Sequence, residues 1–175
     1  PMRKTDERFD IPGSVTEIGE DAFYTNRNLK EIGIPDSVQV IGASAFNGCN
    51  KLVYVEIPVG VTEIDNGVFA GCSALTGIAL PESLSVIGDN AFNGCSALAE
   101  IQIPEAVTQI DTYAFANCRS LKEAVLPAGL QKLGRYAFAY CNILETVVMP
   151  GELAEIGDAA FSKCDVLTLT VVKDS

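Results

Sequence analysis

Residues 81–103 read PESLSVIGDNAFNGCSALAEIQI, and this 23-residue stretch decides the fold because the chain repeats it from end to end. Prolines recur every 23 residues, at Pro12, Pro35, Pro58, Pro81, Pro104, Pro127 and Pro150. Phenylalanines keep the same step, at Phe23, Phe46, Phe69, Phe92, Phe115, Phe138 and Phe161. A fixed period between about 20 and 50 residues is the sequence signature of a repeat array. The chain is therefore predicted to be a solenoid.

Two further residue types share this period. Leucines recur at Leu29, Leu52, Leu75, Leu98, Leu121, Leu144 and Leu167, and all six cysteines fall in one phase, at Cys49, Cys72, Cys95, Cys118, Cys141 and Cys164. We expect one domain over residues 1–175 with seven 23-residue repeats, an N-terminal cap-like segment at 1–11, and a terminal strand and tail at 168–175.

Each repeat contains a strand pattern followed by a turn pattern. Leu98, Ile101 and Ile103 give the alternation of a strand, which Pro104 ends because proline donates no ladder hydrogen bond. Residues 107–110 predict a second short strand on another side of the coil. The stretch 89–95 predicts one tight helical or 3₁₀ turn with Asp89 as its cap.

Stacked repeats bury like residues in continuous columns, so stability comes largely from contacts between neighbouring turns. Phenylalanine is the largest side chain that recurs in every repeat, and each ring can bury about 150 to 250 Å². We expect the phenylalanine column to be the main stabilising element.

The repeat unit resembles the BspA-like leucine-rich-repeat family over residues 6–172. It is clearest in Ile34-Pro35, Val38, Ile41-Gly42, Ala45-Phe46, Cys49, Leu52 and Val55. The resemblance implies an α/β, right-handed leucine-rich-repeat solenoid with a parallel strand ladder on the concave face, short second strands, and short helical or 3₁₀ turns elsewhere. It also implies a bacterial surface protein that adheres to host or matrix proteins. The departures are Asp65 and Asp111 at the turn glycine, Asn26 at the first cysteine, and Ala124 at the strand isoleucine.

Composition opposes several classes of partner. The net charge is −11, which disfavours nucleic acid and anionic lipid surfaces. No apolar run approaches the roughly 18 residues that span a bilayer, so membrane insertion is not expected. This chain contains no secretory leader pattern. The family resemblance favours a secreted or cell-surface location, and the cytoplasm is the alternative.

No catalytic, cofactor-binding or metal-binding residue is predicted. The chain has no histidine, which removes the usual base and metal ligand, and it has no phosphate-binding or dinucleotide-binding motif. Its many carboxylates are read as a solvated face rather than as catalytic pairs. We therefore expect the protein not to be an enzyme.

The cysteine column allows three readings. In-register residues on adjacent turns lie about 4.8 Å apart, within the window of about 4.4 to 6.8 Å for Cα atoms joined by a disulfide. Parallel stacking gives poor disulfide dihedrals, and no C-x-x-C pair supports a metal site. Buried free thiols are favoured over disulfides and over a metal.

The candidate binding surface consists of the residues that flank the inward-facing strand positions. These are Glu31, Tyr54, Glu56, Glu100, Gln102, Glu123, Val125, Thr146 and Val148. We expect this face to be acidic towards the N-terminal half and more apolar towards the C-terminal half. The hypothesis is that it binds a basic or mixed protein segment, and the alternative is that these residues only provide solubility.

A second candidate surface is aromatic. Tyr113 and Tyr136 share one repeat phase and Tyr140 follows four residues later, so the rings are a candidate exposed cluster. The alternative is that they pack partly against neighbouring turns.

The ends differ in polarity. The charged run from Arg3 to Arg8, with Asp6 at the leucine phase, is predicted to cap the N-terminal turn. Residues 168–172 predict a final strand that only Lys173-Asp174-Ser175 follows. Either the chain is part of a longer surface protein, or this edge pairs with a second copy to give a homo-oligomer.

The sequence therefore predicts a non-enzymatic protein-binding module. The favoured reading is an adhesin-like protein at the cell surface or outside the cell that recognises a host matrix or serum protein. The alternative is an intracellular or structural scaffold for protein–protein interaction, which reduced thiols fit slightly better.

Overall fold

The structure, a computed structural model, describes residues 7–172, and these residues form a solenoid of seven coils followed by a final strand. Coils 1 to 7 begin at residues 8, 31, 54, 77, 100, 123 and 146. One side of the solenoid, which we call the ladder face, carries seven strands. They are β1 (Arg8–Asp10), β3 (Glu31–Gly33), β5 (Tyr54–Glu56), β7 (Gly77–Ala79), β10 (Glu123–Val125), β12 (Thr146–Pro150) and β14 (Thr168–Val172).

A second ladder of two-residue strands lies after the proline turn of each coil. Its strands are β2 (Glu17–Ile18), β4 (Val40–Ile41), β6 (Glu63–Ile64), β8 (Val86–Ile87), β9 (Gln109–Ile110), β11 (Lys132–Leu133) and β13 (Glu155–Ile156). Both ladders are parallel throughout. The ladder face has the orders β1-β3-β5-β7 and β10-β12-β14, and the second ladder has β2-β4 and β6-β8-β9-β11-β13.

The core is a set of columns along the solenoid axis. Phe46, Phe69, Phe92, Phe115 and Phe138 are fully buried, and successive rings from Phe23 to Phe161 stack with centroids 5.0 to 5.7 Å apart. The predicted phenylalanine column is confirmed. Phe9, the one phenylalanine outside the repeat phase, contacts Phe23 at 5.7 Å in a tilted arrangement and covers the N-terminal end of the column.

The predicted helical or 3₁₀ turn is wrong, because within residues 7–172 the chain forms no helix. After the second ladder each coil makes consecutive hydrogen-bonded turns, which we call the turn segment (residues 88–98 in coil 4). In the turn segment, successive amide N–H groups donate alternately to a carbonyl of the same coil and to a carbonyl of the next coil. In coil 2 the Ala45 N–H donates within the coil to Gly42 O, whereas the Phe46 N–H donates to Val68 O of the next coil. A helix cannot form when every second donor leaves the coil.

This alternation requires a left-handed backbone at two phases of the turn segment. Positive φ recurs at Asp21, Ser44, Gly67, Asn90, Tyr113, Tyr136 and Ala159, and again at Thr25, Gly48, Gly71, Gly94, Asn117, Tyr140 and Lys163. Side chains at such positions cost about 1 to 3 kcal/mol each unless packing offsets the strain. Asp89, predicted as a helix cap, instead accepts the Thr112 N–H of the next coil at 2.8 Å.

Adjacent coils approach each other closely at the glycine that begins the turn segment, which is Gly134 in coil 6. A Cβ added at Gly134 would lie 2.6 Å from both the Asp111 carbonyl oxygen and the Thr112 amide nitrogen, which are backbone atoms. Asp111, one of the departures from this glycine, uses its carboxylate to accept hydrogen bonds from Gln109 and from Lys132 of the next coil, the latter at 2.8 Å. That contact raises the pKa of Lys132.

Gly134→Ala is expected to destabilise the array by about 1 to 3 kcal/mol, because the new methyl group forces backbone atoms of coils 5 and 6 apart. Gly19→Ala is the matched control, since it occupies the same phase in coil 1 and no atom of residues 7–172 lies within 4 Å of its added Cβ. Urea unfolding followed by circular dichroism measures both. Equal losses of stability in the two variants would contradict the close-approach explanation.

The last strand departs from the 23-residue register. Thr146 pairs with Thr168 and Val147 with Leu169, an offset of 22 residues, whereas the other pairs keep 23. A strict repeat would place Thr170 beside the inward-facing Val147. The one-residue shift places Leu169 there instead, because a slip of one residue exchanges the two faces of a strand.

The ladder face has one interruption. Coil 5 has no strand at residues 100–103, although Ile101 and Ile103 keep the apolar alternation and the sequence predicts a strand there. That prediction is wrong for this coil, since the segment forms no backbone hydrogen bond within the described part of the chain. The sheet therefore divides into β1-β3-β5-β7 and β10-β12-β14.

The predicted ends are only partly within the described residues. Arg3 to Asp6 and Lys173 to Ser175 lie outside them. At the N-terminal end the Glu7 carboxylate forms an ion pair with Lys30, whose Nζ lies 2.9 Å from Glu7 Oε1. The Glu7 carbonyl oxygen accepts hydrogen bonds from the backbone N–H groups of Lys30 and Glu31. At the other end β14 is exposed along its whole length.

Candidate functional site

The ladder face presents two outward columns of side chains. The first contains Arg8, Glu31, Tyr54, Gly77, Glu123 and Thr146, and the second contains Asp10, Gly33, Glu56, Ala79, Val125 and Val148. Glu100 and Gln102 occupy the same two phases in coil 5. The predicted surface residues are thus brought together on one side of the solenoid.

Most of these side chains are open to solvent. Glu31, Tyr54, Glu56, Glu100, Gln102, Glu123 and Val125 are exposed, and Thr146 and Val148 are half-buried. Tyr54 and Val125 are among the exposed large hydrophobic residues, with 51% and 56% of their surface accessible to solvent. The ladder face is therefore an exposed surface of mixed acidic and apolar character.

Arg8 is a member of this surface that sequence reasoning missed. It donates to Asp10 at 3.0 Å and to Glu31 at 2.9 Å, and the contacts with both carboxylates raise the pKa of the guanidinium. The signal was present, because Arg8 lies 23 residues before Glu31 in the same phase. The acidic N-terminal part of the ladder face consequently carries its own cation.

A cleft opens on the ladder face where the strands are interrupted. It has a volume of about 490 Å³ and lies between coils 4 and 5. Apolar side chains of Ile78, Leu80, Ile101 and Ile103 line it together with Tyr54, and its carboxylates come from Glu82, Glu100 and Glu105. Only Tyr54, Glu100 and Gln102 of this lining were identified from the sequence, because a regular repeat gives no reason for the strand pairing to stop between two coils.

The three tyrosines of the second candidate surface, Tyr113, Tyr136 and Tyr140, lie on turn segments rather than on the ladder face. Tyr113 and Tyr136 stack with centroids 4.9 Å apart, and the Arg135 guanidinium lies 4.8 Å from the Tyr136 ring centroid. Both rings are half-buried. Tyr140 is 45% exposed and makes no ring contact with either within residues 7–172. Only two of the three predicted rings therefore come together.

The six cysteines form a column of free thiols. Each Sγ donates to the phenylalanine carbonyl of the preceding coil, as in Cys95 to Phe69 at 3.2 Å and Cys118 to Phe92 at 3.3 Å. Burial raises the pKa of Cys49 to about 11 and that of Cys141 to about 12, and it also raises the pKa of Cys72, Cys95 and Cys118 well above that of a solvent-exposed thiol. A thiol that stays protonated is a poor nucleophile and metal ligand, so the column has a structural role.

Between residues 7 and 172 no group of three or more cysteine or carboxylate side chains is placed to hold a metal ion. Over the same range, no helix has the length and apolar character needed to cross a membrane.

A family-wide sequence comparison decides the class of the repeat. The pattern described as "BspA type Leucine rich repeat region" matches residues 4–122 and 64–175, with six copies. The chain belongs to the BspA-type leucine-rich-repeat family. Proteins of this class are generally non-catalytic scaffolds for protein interaction, and BspA-type members are often associated with the cell surface.

Solved structures of bacterial leucine-rich-repeat proteins resemble this BspA-type chain. A Bacteroides ovatus protein is 38% identical with a TM-score of 0.88, and the match covers 95% of this chain and 45% of that one. The T. pallidum leucine-rich-repeat protein is 32% identical with a TM-score of 0.90, covering 94% and 79%. The chain thus spans less than half of the first relative. No curated protein matches it.

A more distant relative shares the fold alone. It is a leucine rich cell surface protein of Faecalibacterium prausnitzii, 24% identical with a TM-score of 0.70, and the match covers 96% of this chain and 60% of that one.

Proposed function

We propose that this BspA-type array is an adhesin-like module at the cell surface or outside the cell, and that its ladder face binds a host matrix or serum protein. The observation that carries the proposal is the exposed acidic and apolar surface on a rigid scaffold of stacked strands. Solenoids commonly bind partners along such extended faces. The class of the family and the surface location of one relative support the assignment.

Charge favours a basic partner segment. The chain carries 23 acidic and 12 basic residues, and four of the nine surface residues named above are glutamates, at Glu31, Glu56, Glu100 and Glu123. Complementary charge accelerates encounter and excludes acidic partners. Val125, Thr146 and Val148 extend the surface with apolar contact area in coils 6 and 7.

Charge reversal tests this proposal. The triple variant Glu56→Lys, Glu100→Lys and Glu123→Lys is expected to weaken capture of purified matrix or serum proteins at least tenfold, measured by surface plasmon resonance. The matched control reverses Glu17, Glu63 and Glu155, which are exposed on the second ladder and change the net charge equally. Unchanged capture by the first variant would remove the ladder face from the proposal.

Self-association through the C-terminal end is a second proposal. The final coil exposes Ile156 on β13 of the second ladder, and strand β14 on the ladder face exposes Leu169 and Val171. An unpaired parallel strand is a template for a further strand. Light scattering after size exclusion is expected to show a dimer, and a monomer at high concentration would contradict the proposal.

A further inference from the structure

The interruption of the ladder face in coil 5 leaves main-chain groups without partners. In neighbouring coils the residue before the proline donates its N–H to the next coil, as Ile57 does to Ala79 O at 3.0 Å and Leu126 does to Val148 O at 2.9 Å. The equivalent N–H groups of Leu80 and Ile103 have no such acceptor within the described chain. Residues 100–103 therefore form no ladder hydrogen bond with coil 4 or with coil 6 within the described chain.

The unpaired segment forms one wall of the cleft between coils 4 and 5. Ile101 and Ile103 are almost fully buried beside this wall, so their peptide groups are held in place by packing although no ladder bond holds them. Fixed main-chain donors and acceptors beside an apolar floor are what an added extended peptide uses in strand addition.

The rim of the cleft has one sign of charge. Its lining contains Glu82, Glu100 and Glu105 and no lysine or arginine. Glu82 and Glu100 take part in no ion pair or side-chain hydrogen bond among residues 7–172, while Glu105 accepts the Ala128 N–H at 3.2 Å. Bringing a cation between these carboxylates is therefore favourable.

A contrasting cleft on the same face shows what a cation does there. Between coils 2 and 3 a space of about 390 Å³ is lined by Asp36 and Glu56, and it also contains Arg8. Arg8 is already held by Asp10 and Glu31. The cleft between coils 4 and 5 likewise combines apolar residues with carboxylates, but no arginine is among its described lining residues.

We propose that the cleft between coils 4 and 5 is a docking site for an extended peptide segment that carries lysine or arginine. The segment's main chain bonds to the free peptide groups of residues 100–103, and its cationic side chains lie between Glu82, Glu100 and Glu105. The site rests on the proposed function, because it gives the basic partner segment a defined position on the ladder face.

The test uses three synthetic hexapeptides and isothermal titration calorimetry. One alternates lysine and valine, the second alternates glutamate and valine, and the third is the lysine peptide with alternate amides N-methylated. The lysine peptide is expected to bind the wild-type array at least tenfold more tightly than either of the others, because each of them lacks one of the two required interactions.

Two matched variants locate the site. The triple variant Glu82→Gln, Glu100→Gln and Glu105→Gln is expected to bind the lysine peptide at least tenfold more weakly. Glu17→Gln, Glu63→Gln and Glu155→Gln together remove the same charge from the second ladder and are expected to change Kd less than twofold. Hydrogen exchange is expected to slow on binding at the amides of Ile101 and Ile103.

Three results would overturn the docking site. They are undetectable binding of the lysine peptide, equal weakening by both triple variants, and tight binding of the N-methylated peptide. Capture of matrix proteins by the wild-type array in any of these cases would leave the proposed adhesin-like function intact. Loss of matrix-protein capture together with retained peptide binding would instead contradict the proposed function alone.

Discussion

Raising the pH from 8 to about 10.5 is expected to unfold the array in reducing buffer. The buried thiols have raised pKa values, to about 11 for Cys49 and about 12 for Cys141, whereas thiols in the unfolded chain ionise near 9.0. Below pH 9 both states are protonated and the thiols have no effect. Above it only the unfolded chain releases these protons, so stability falls as pH rises.

The summed contribution of the thiols is comparable with the whole free energy of unfolding. At pH 10.5 each buried thiol favours the unfolded chain by about 2 kcal/mol, and five of them together reach about 10 kcal/mol. Domains of this size are usually stable by about 5 to 15 kcal/mol. The column of thiols that packs well at neutral pH therefore makes the protein sensitive to alkali.

A single substitution isolates the thiol contribution from other groups that titrate in this range. Cys118→Ala removes a fully buried thiol and is expected to reduce the loss of stability by about 1.4 kcal/mol per pH unit above pH 9. Urea unfolding at several pH values gives the slope for each protein. Parallel slopes for the wild type and Cys118→Ala would show that the thiols do not cause the alkaline transition.

Phe92→Ala is expected to destabilise the array by about 3 to 5 kcal/mol, the range for truncation of a buried phenylalanine. Its ring is fully buried and stacks on Phe69 at 5.6 Å and on Phe115 at 5.2 Å. The cavity lies between two coils, so the contact between the two halves of the column is lost as well as the buried area. Urea denaturation of the purified variant measures the change.

Phe161→Ala is the matched control for the phenylalanine column. Phe161 is half-buried and, within the described part of the chain, stacks on one ring, Phe138 at 5.7 Å. Its truncation is expected to cost less than half as much as that of Phe92, because the end of a column has one neighbour. Equal costs for the two truncations would contradict stability by nearest-neighbour stacking.

The periodic residues were sufficient to predict the solenoid and its core. Phenylalanine, leucine and cysteine at fixed phases fall into columns in any in-register stack, so Phe92 and Cys118 could be placed in the core without coordinates. Inward and outward positions on the strands followed from the alternation of side chains, which is why Glu56 and Val125 were correctly placed on an exposed face.

Hydrogen bonds between coils could not be predicted in the same way. Residues 89–95 have the local composition of a tight helical turn, and only the next coil, which takes alternate N–H groups, prevents a helix. The left-handed backbone at Tyr113 and Tyr136 has the same origin, and no local preference of tyrosine indicates it.

Two departures from the ideal repeat could not be predicted from the sequence either. The slip of β14 to a 22-residue offset places Leu169 rather than Thr170 beside Val147, a choice that depends on the pairing partner. The missing strand pairing at residues 100–103 has no counterpart in the repeat pattern, since Ile101 and Ile103 are ordinary members of their phases. The candidate docking cleft was consequently visible only in the structure.

Residue-resolved hydrogen exchange tests in-register stacking most directly. The N–H groups of Phe46, Phe69, Phe92, Phe115 and Phe138 each donate to the following coil at 2.7 to 2.9 Å. Slow exchange should therefore recur at these amides every 23 residues, with faster exchange at Ile101 and Ile103 than at Ile57 and Leu126. Protection without that period would contradict the stacked array and the ladder face built on it.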